Sequence, residues 1–116
     1  MNNRELGQYG ENIACKYLES KNYKILERNF SCKQGEIDII AKDKNEIVFV
    51  EVKTRRSMKY GRPSEAVNKL KQKHILEVSK YYLYKNYLMS TALRFDVIEV
   101  YLEKQKVFIN HIKKAF

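Results

Sequence analysis

Residues 35–53 carry two carboxylates, Asp38 and Glu51, and an ammonium, Lys53, on two alternating stretches separated by a polar turn. Ile37, Ile39 and Ala41 alternate with Glu36, Asp38 and Ile40, and Val48, Val50 and Val52 alternate with Phe49, Glu51 and Lys53. That period of two predicts a β-hairpin with one purely apolar face. Closing Lys42, Asp43, Lys44 and Asn45 as a two- or four-residue loop places Glu36 opposite Glu51 and Asp38 opposite Phe49. Asp38 and Glu51 then become diagonal neighbours, about 7–8 Å apart at the backbone, a gap that two carboxylates can close around a cation. Lys53 joins them on the same face.

Ile47, Val48, Phe49 and Val50 are apolar on both faces of their strand, so Glu51 begins where burial ends. A half-buried carboxylate needs a partner. The plainest expectation is an Asp38–Lys53 or Glu51–Lys53 ion pair lacing an amphipathic hairpin, and for an arbitrary protein that reading ranks first. The surrounding charge weighs against it. Residues 53–73 hold eight basic residues, Lys53, Arg55, Arg56, Lys59, Arg62, Lys69, Lys71 and Lys73, against the single acid Glu65, a net of +7 within a chain of net +9. A basic segment that starts inside a carboxylate hairpin suits a phosphate backbone better than a small neutral substrate.

The chain has 116 residues, 44% of them hydrophobic, with one proline and four glycines, which suits one globular domain with a single core. No run approaches the roughly 20 apolar residues of a membrane span, and the first residues lack the apolar stretch of a signal peptide. A cytoplasmic protein without a membrane partner is expected. Cys15 falls on an apolar helical stripe and Cys32 in a loop, without metal-ligand spacing, so both read as structural thiols.

Residues 3–20 form the expected first helix, capped by Asn2 or Asn3, with Leu6, Gly10, Ile13, Ala14, Tyr17 and Leu18 on one stripe. Glu11 borders that stripe, from which its carboxylate can lean over the sheet or face solvent. Residues 23–30 are expected as the first strand and residues 31–35 as a turn into the hairpin. After Lys53 the chain should leave the sheet through a basic loop, residues 54–63, with Tyr60 in it. Ser64 caps a second helix running to about Lys85, with Val67, Leu70, His74, Val78 and Tyr81 or Tyr82 inward. Strands at 91–101 and 107–112 complete an αβββαββ order. His74 reads as packing and His111 as a residue without a recognisable partner. The tyrosines near the second helix are a weak signal for base stacking; only Tyr60 suits a nucleic-acid contact, and a turn role serves it as well.

Taken together, Glu11 on a helix, Asp38 on one strand and Glu51, Val52 and Lys53 on the next resemble the PD-(D/E)xK nuclease pattern. The longer stretches 35–40, 48–55 and 94–98, with Tyr9, Gly10 and Glu11 before them and Lys71 and Gln72 after, resemble the bacterial YraN-type family over nearly the whole chain. The resemblance implies a restriction-endonuclease-like α/β fold, a central mixed sheet flanked by two helices. It also implies an endonuclease acting on DNA, with branched or junction-like structures among the expected substrates. Under it, Glu11, Asp38, Glu51 and Lys53 are catalytic, with Glu11, Asp38 and Glu51 holding Mg²⁺ or Mn²⁺. Glu36, pointing to the same face, is equally a candidate neighbour of the shell or a surface residue, and Arg94 and Asp96 are structural. A homodimer is expected by analogy with junction-resolving relatives.

Residue chemistry agrees with that implication: Mg²⁺ is usually held by one or two protein carboxylates, with waters and phosphate completing its octahedron. Arg55, Arg56, Lys59, Arg62 and Lys71 are the expected phosphate contacts. The main competitor is a nucleic-acid-binding module with the same fold and no turnover, against which stands the Asp, Glu and Lys set, since a pure binder has no need of acids beside phosphate. A salt-bridged structural protein leaves the density of basic residues beside the acids unexplained.

Overall fold

A computed structural model of the chain describes residues 1–56 and 67–116. The order is α1 (Asn3–Ser20), β1 (Lys24–Cys32), β2 (Gly35–Asp43), β3 (Glu46–Arg55), α2 (Lys69–Lys85), β4 (Ala92–Glu103) and β5 (Lys106–Ile112). The five strands form one sheet in sequence order. β1, β2 and β3 pair antiparallel, β3 and β4 parallel, and β4 and β5 antiparallel. The parallel step falls where α2 connects β3 to β4, because such strands need a long crossover and antiparallel ones need only a turn. The α/β order expected from the sequence is borne out, and the mixed sheet is compatible with a restriction-endonuclease-like core.

Both sheet faces are covered. Under α1, Ala14, Cys15 and Leu18 pack on Ile39, Ala41, Val48, Val50, Ile98 and Val100. Under α2, Ile75, Val78, Tyr82 and Leu83 pack on Phe30, Ile40, Ile47, Phe49, Phe95 and Val97. This accounts for the two-sided apolar run in β3: both faces of that strand are interior. Ile37 departs from the expected single face and joins the α2-side core. In β1, Arg28, opposite Ile39, reaches Asn12 of α1 whereas Phe30, opposite Ile37, packs on Tyr82 of α2, and between them Asn29 adopts φ 52°. Asparagine tolerates that left-handed region better than most residues, and the backbone turn there redirects the side chains that follow.

α1 starts in a reciprocal capping box: Glu5 N–H donates to Asn2 Oδ1 at 2.8 Å and Asn2 N–H to Glu5 Oε1 at 3.3 Å. At Gly10 it lies tight against the sheet. A Cβ there would overlap Thr54 Oγ1 and lie 2.8 and 2.9 Å from Thr54 Cγ2 and Cβ. Gly10→Ala should therefore lower the melting temperature, because overpacking costs about 1–3 kcal/mol and outweighs the roughly 1 kcal/mol gain in helix propensity. At Gly7 nothing lies within 4 Å of an added Cβ, so Gly7→Ala should be neutral or stabilising in the same melt. Equal effects at the two sites would overturn this account of the docking.

Several boundaries differ from expectation. Cys32 ends β1 and lies in a strand; the turn is confined to Lys33 and Gln34. β3 runs on to Arg55, paired with Tyr101, so Thr54 and Arg55 belong to the sheet. α2 begins at Lys69 behind its cap Asn68, whose Oδ1 accepts the Lys71 N–H at 2.8 Å; Ser64, the expected cap, lies outside the described residues. The inner face of α2 is Ile75, Val78, Ser79, Tyr82 and Leu83, while Leu70 and His74 are exposed. The i, i+3, i+4, i+7 stripe is present, but the buried Ser79 hides it from an apolar reading; its hydroxyl donates to Leu76 O at 2.7 Å.

A carboxylate cleft where two strands part

The hairpin turn is Lys44 and Asn45, with Asp43 paired to Glu46. Ile40 consequently faces Phe49 and Ile39 faces Val50, two residues away from the expected register. A shift of two preserves the side-chain faces, so the predicted juxtaposition survives and tightens: continued by one step, the register sets Asp38 abreast of Glu51 instead of diagonal. That step is not made as a ladder pair. β1–β2 pairing continues to Cys32–Gly35 and β3–β4 pairing to Arg55–Tyr101, whereas β2–β3 pairing stops at Ile39–Val50. The strands part there, and Asp38 Oδ2 accepts the Val52 N–H at 2.8 Å, satisfying a donor that the ladder no longer reaches.

Asp38 is pushed up to about 7, chiefly by burial and then by the charge of Glu51; the Val52 N–H and the more distant Lys71 oppose this and do not overcome it. The consequence for stability has a definite sign. Between the ordinary carboxylate value and about 7 the folded chain holds a proton that the unfolded chain releases, so this group's contribution to stability falls as pH rises through that window. Asp38→Asn should accordingly melt higher than the wild type at pH 8 without metal, the difference shrinking toward pH 4. A difference independent of pH would place Asp38 in an unstrained setting.

A cation beside Glu51 comes from an unexpected element. Lys71 Nζ of α2 lies 2.7 Å from Glu51 Oε1, so Lys71, anticipated as a phosphate contact, ion-pairs with a proposed metal ligand. Lys53 is half-buried on β3, two residues beyond Glu51 and hence on the same sheet face. Across the parallel register from it stands Glu99 of β4, 1% exposed, with Oε1 accepting from Asn110 Nδ2 at 2.8 Å and Oε2 without a hydrogen bond. Nothing in the reading of β4 singled out Glu99; a lone acid inside an apolar strand was the available signal.

Glu11 approaches from α1, one residue past the Gly10 contact. Burial raises its pKa against the opposing charge of Arg28, whose Nη2 lies 3.9 Å from Glu11 Oε1. Among the described residues no three acid, histidine or cysteine side chains are close enough together to hold one ion. The structure thus brings Asp38 and Glu51 together and leaves Glu11 near their field but turned to Arg28. Two carboxylates still suit a hard divalent ion, since Mg²⁺ commonly takes one or two and fills its shell with water and phosphate. The Lys71 ammonium on Glu51 is itself a positive charge at that position.

Of the expected phosphate contacts, Arg55 ends β3, and Arg56 donates to Met1 O at 2.6 Å and Asn3 Oδ1 at 3.3 Å, tying the strand end to the start of α1. Lys59, Arg62 and Tyr60 lie outside the described residues. Glu36 is exposed.

A second polar cluster lies away from the cleft. Arg94 donates from Nε and Nη2 to the two oxygens of Asp96 at 2.9 and 3.1 Å, from Nη1 to Asp43 and Glu46 at 3.0 and 3.1 Å, and from Nη2 to Tyr23 Oη at 2.6 Å. His111, expected to lack a partner, bridges Asp96 Oδ2 at 2.7 Å and the Tyr17 hydroxyl at 3.1 Å. The cluster links the hairpin turn, α1, β4 and β5, which accords with the structural reading of Arg94 and Asp96.

The sequence pattern of an uncharacterised protein family, UPF0102, matches residues 10–100, a span holding Glu11, Asp38, Glu51, Lys53, Lys71 and Glu99. The chain belongs to that family. It is 55% identical over 116 residues to a UPF0102 protein of Clostridioides difficile strain 630, covering 100% of both chains. It is 53% identical over 118 residues to one of Caldicellulosiruptor saccharolyticus, again covering 100% of both. A UPF0102 protein of Geobacter metallireducens is 48% identical over 116 residues, covering 100% of this chain and 95% of the relative. The YraN-type resemblance is borne out. Among solved structures the chain is similar to SSO0001, with TM-score 0.40 and 21% identity, covering 100% of this chain and 54% of that one. No helix among the described residues is long and apolar enough to cross a membrane.

Proposed function

We propose that the protein is a Mg²⁺- or Mn²⁺-dependent endonuclease that hydrolyses phosphodiester bonds in DNA, branched or junction-like structures included. The observation that carries this reading is the parting of β2 and β3, which sets the Asp38 carboxyl, raised to about 7, beside Glu51. Burying two acids side by side is costly unless a cation shares the site. When bound by Asp38 and Glu51, the divalent ion would acidify a water and offset charge on the scissile phosphate. Asp38 is oriented by the Val52 N–H through Oδ2, so its other oxygen would be the one to hold the ion. Lys53, on the face of Glu51, orients the attacking water or balances charge that builds on the phosphate oxygens as the leaving oxygen departs. Glu11 contributes through water from α1.

Arg55, Arg56, Lys59, Arg62 and Lys71 hold the flanking phosphates. Neutralising Arg55 and Arg56 together should weaken DNA binding alike across sequences and lower the salt slope by about one per lost contact. An unchanged slope would move the binding surface elsewhere.

The Lys71–Glu51 ion pair favours a second reading, a binding module whose acids are neutralised internally and which has no turnover. The deciding experiment is cleavage of labelled linear, branched and single-stranded DNA and RNA with Mg²⁺, Mn²⁺ or chelator, against Asp38→Asn. Cleavage lost with chelator and with Asp38→Asn supports the endonuclease. Binding without metal-dependent cleavage of any substrate supports the module.

A further inference from the structure

Lys71 belongs neither to the hairpin nor to α1, yet its ammonium lies 2.7 Å from Glu51 Oε1, and its side chain is 53% exposed against 12% for Glu51. We propose that Lys71 is an internal counter-ion that holds the place of the divalent cation on Glu51 and transfers to a nucleic-acid phosphate when both ligands arrive, making metal and DNA binding mutually cooperative. The inference rests on the metal-site reading above and goes beyond it in assigning the coupling to one side chain.

Three features support an exchange over a fixed role. A divalent ion binds carboxylate oxygen at about 2.0–2.1 Å for Mg²⁺, so an ion on Glu51 Oε1 and the present ammonium would be like charges sharing one oxygen. Lysine is suited to leave: its charge sits on a flexible four-carbon stem with rotatable donors, and half of the side chain already meets solvent. Its backbone, by contrast, is fixed, because the Lys71 N–H donates to the Asn68 cap of α2 at 2.8 Å. The exchange is therefore a side-chain swing about an anchored Cα, and α2 need not move.

The destination follows from charge. An ammonium expelled from Glu51 by a divalent ion needs another anion, and a phosphate of DNA lying against the first turns of α2, where Lys69 and Lys73 neighbour Lys71 in sequence, offers one. Phosphate in turn draws Lys71 off Glu51 and frees that oxygen for the ion. Linkage requires the two effects to be equal: the factor by which DNA raises metal affinity is the factor by which metal raises DNA affinity.

The test uses the whole chain, as wild type, Lys71→Met and Lys71→Gln, the last retaining a polar side chain should methionine disturb folding. Mn²⁺ affinity is measured by calorimetry with and without a short phosphorothioate duplex that resists cleavage. Without DNA, both variants should bind Mn²⁺ about tenfold more tightly than the wild type, and the duplex should tighten Mn²⁺ binding about tenfold in the wild type but little in the variants, within the usual range of coupling. Mn²⁺ affinity in the variants equal to or weaker than wild type would overturn the exchange while leaving the metal site standing, weaker binding marking Lys71 as a fixed support for Glu51. Tighter binding with the DNA effect retained would overturn the transfer to phosphate. Failure of every protein to bind Mn²⁺, with or without duplex, would overturn this inference together with the metal-site reading.

Discussion

Arg94→Met is expected to destabilise the fold by about 3–5 kcal/mol, the usual loss when one partner of a buried ionic cluster is removed. Asp96 is 0% exposed and Arg94 7% exposed, so neither charge can recover its hydration in place. Removing the guanidinium strips Asp96 of two hydrogen bonds and leaves it, among the described residues, His111 Nε2 and the Lys114 N–H, at 2.7 and 3.2 Å. It also frees Asp43 and Glu46, the pair that closes the β2–β3 turn. The pH dependence is opposite in sign to that of Asp38. Burial alone would raise the Asp96 carboxyl, but hydrogen bonds from His111, Arg94 and Lys114 outweigh it and hold the carboxyl below its ordinary value. Its stabilising contribution is thus present above the ordinary carboxylate value and lost as pH falls through the lowered one. Urea melts of wild type and Arg94→Met should differ most near neutral pH and converge toward pH 3. A loss below about 1 kcal/mol at pH 7 would mean that the cluster contributes little beyond its own desolvation.

The contrast between Asp38 and Asp96 shows what was legible in the sequence. Alternation in residues 35–53 predicts the hairpin and puts Asp38, Glu51 and Lys53 on one face, since side-chain faces survive any even shift of register. The register itself depends on which two of four polar residues make the turn, and Lys44 and Asn45 are selected in the structure, with Lys44 at φ 56°. Parting of β2 from β3 leaves no periodic trace at all, because it is a break in pairing and not in pattern. The partners of Glu51, Glu11 and Asp96 were hidden for another reason: Lys71, Arg28 and His111 come from elements whose phase or register must be known before a pair can be named. α2 shows how a single residue spoils that phase, since a buried serine at position 79 reads as polar.

Lys53→Ala should reduce metal-dependent cleavage by about 10²–10³ while leaving the fold and much of the DNA affinity in place. The warrant is an asymmetry between the two lysines of the cleft. In the metal-free protein Glu51 is already matched by Lys71 at 2.7 Å, and Asp38, raised to about 7, is only partly ionised near neutral pH. Asp38 and Glu51 therefore have compensation besides Lys53, and the penalty for its removal should stay below that for stripping a buried acid of every partner. In the proposed reaction the balance differs. Lys53 acts when negative charge grows on the phosphate oxygens, a moment at which a preorganised cation stabilises the transition state more than the bound substrate. The loss should thus fall on the chemical step, resolved by single-turnover cleavage at saturating protein, with melting temperature and equilibrium binding measured on the same preparations. Lys71→Met supplies the internal comparison: it should change metal affinity, where Lys53→Ala changes rate at saturating metal. A large drop in melting temperature for Lys53→Ala, with no metal-dependent cleavage by wild type on any substrate, would instead assign Lys53 to the sheet as a structural counter-ion.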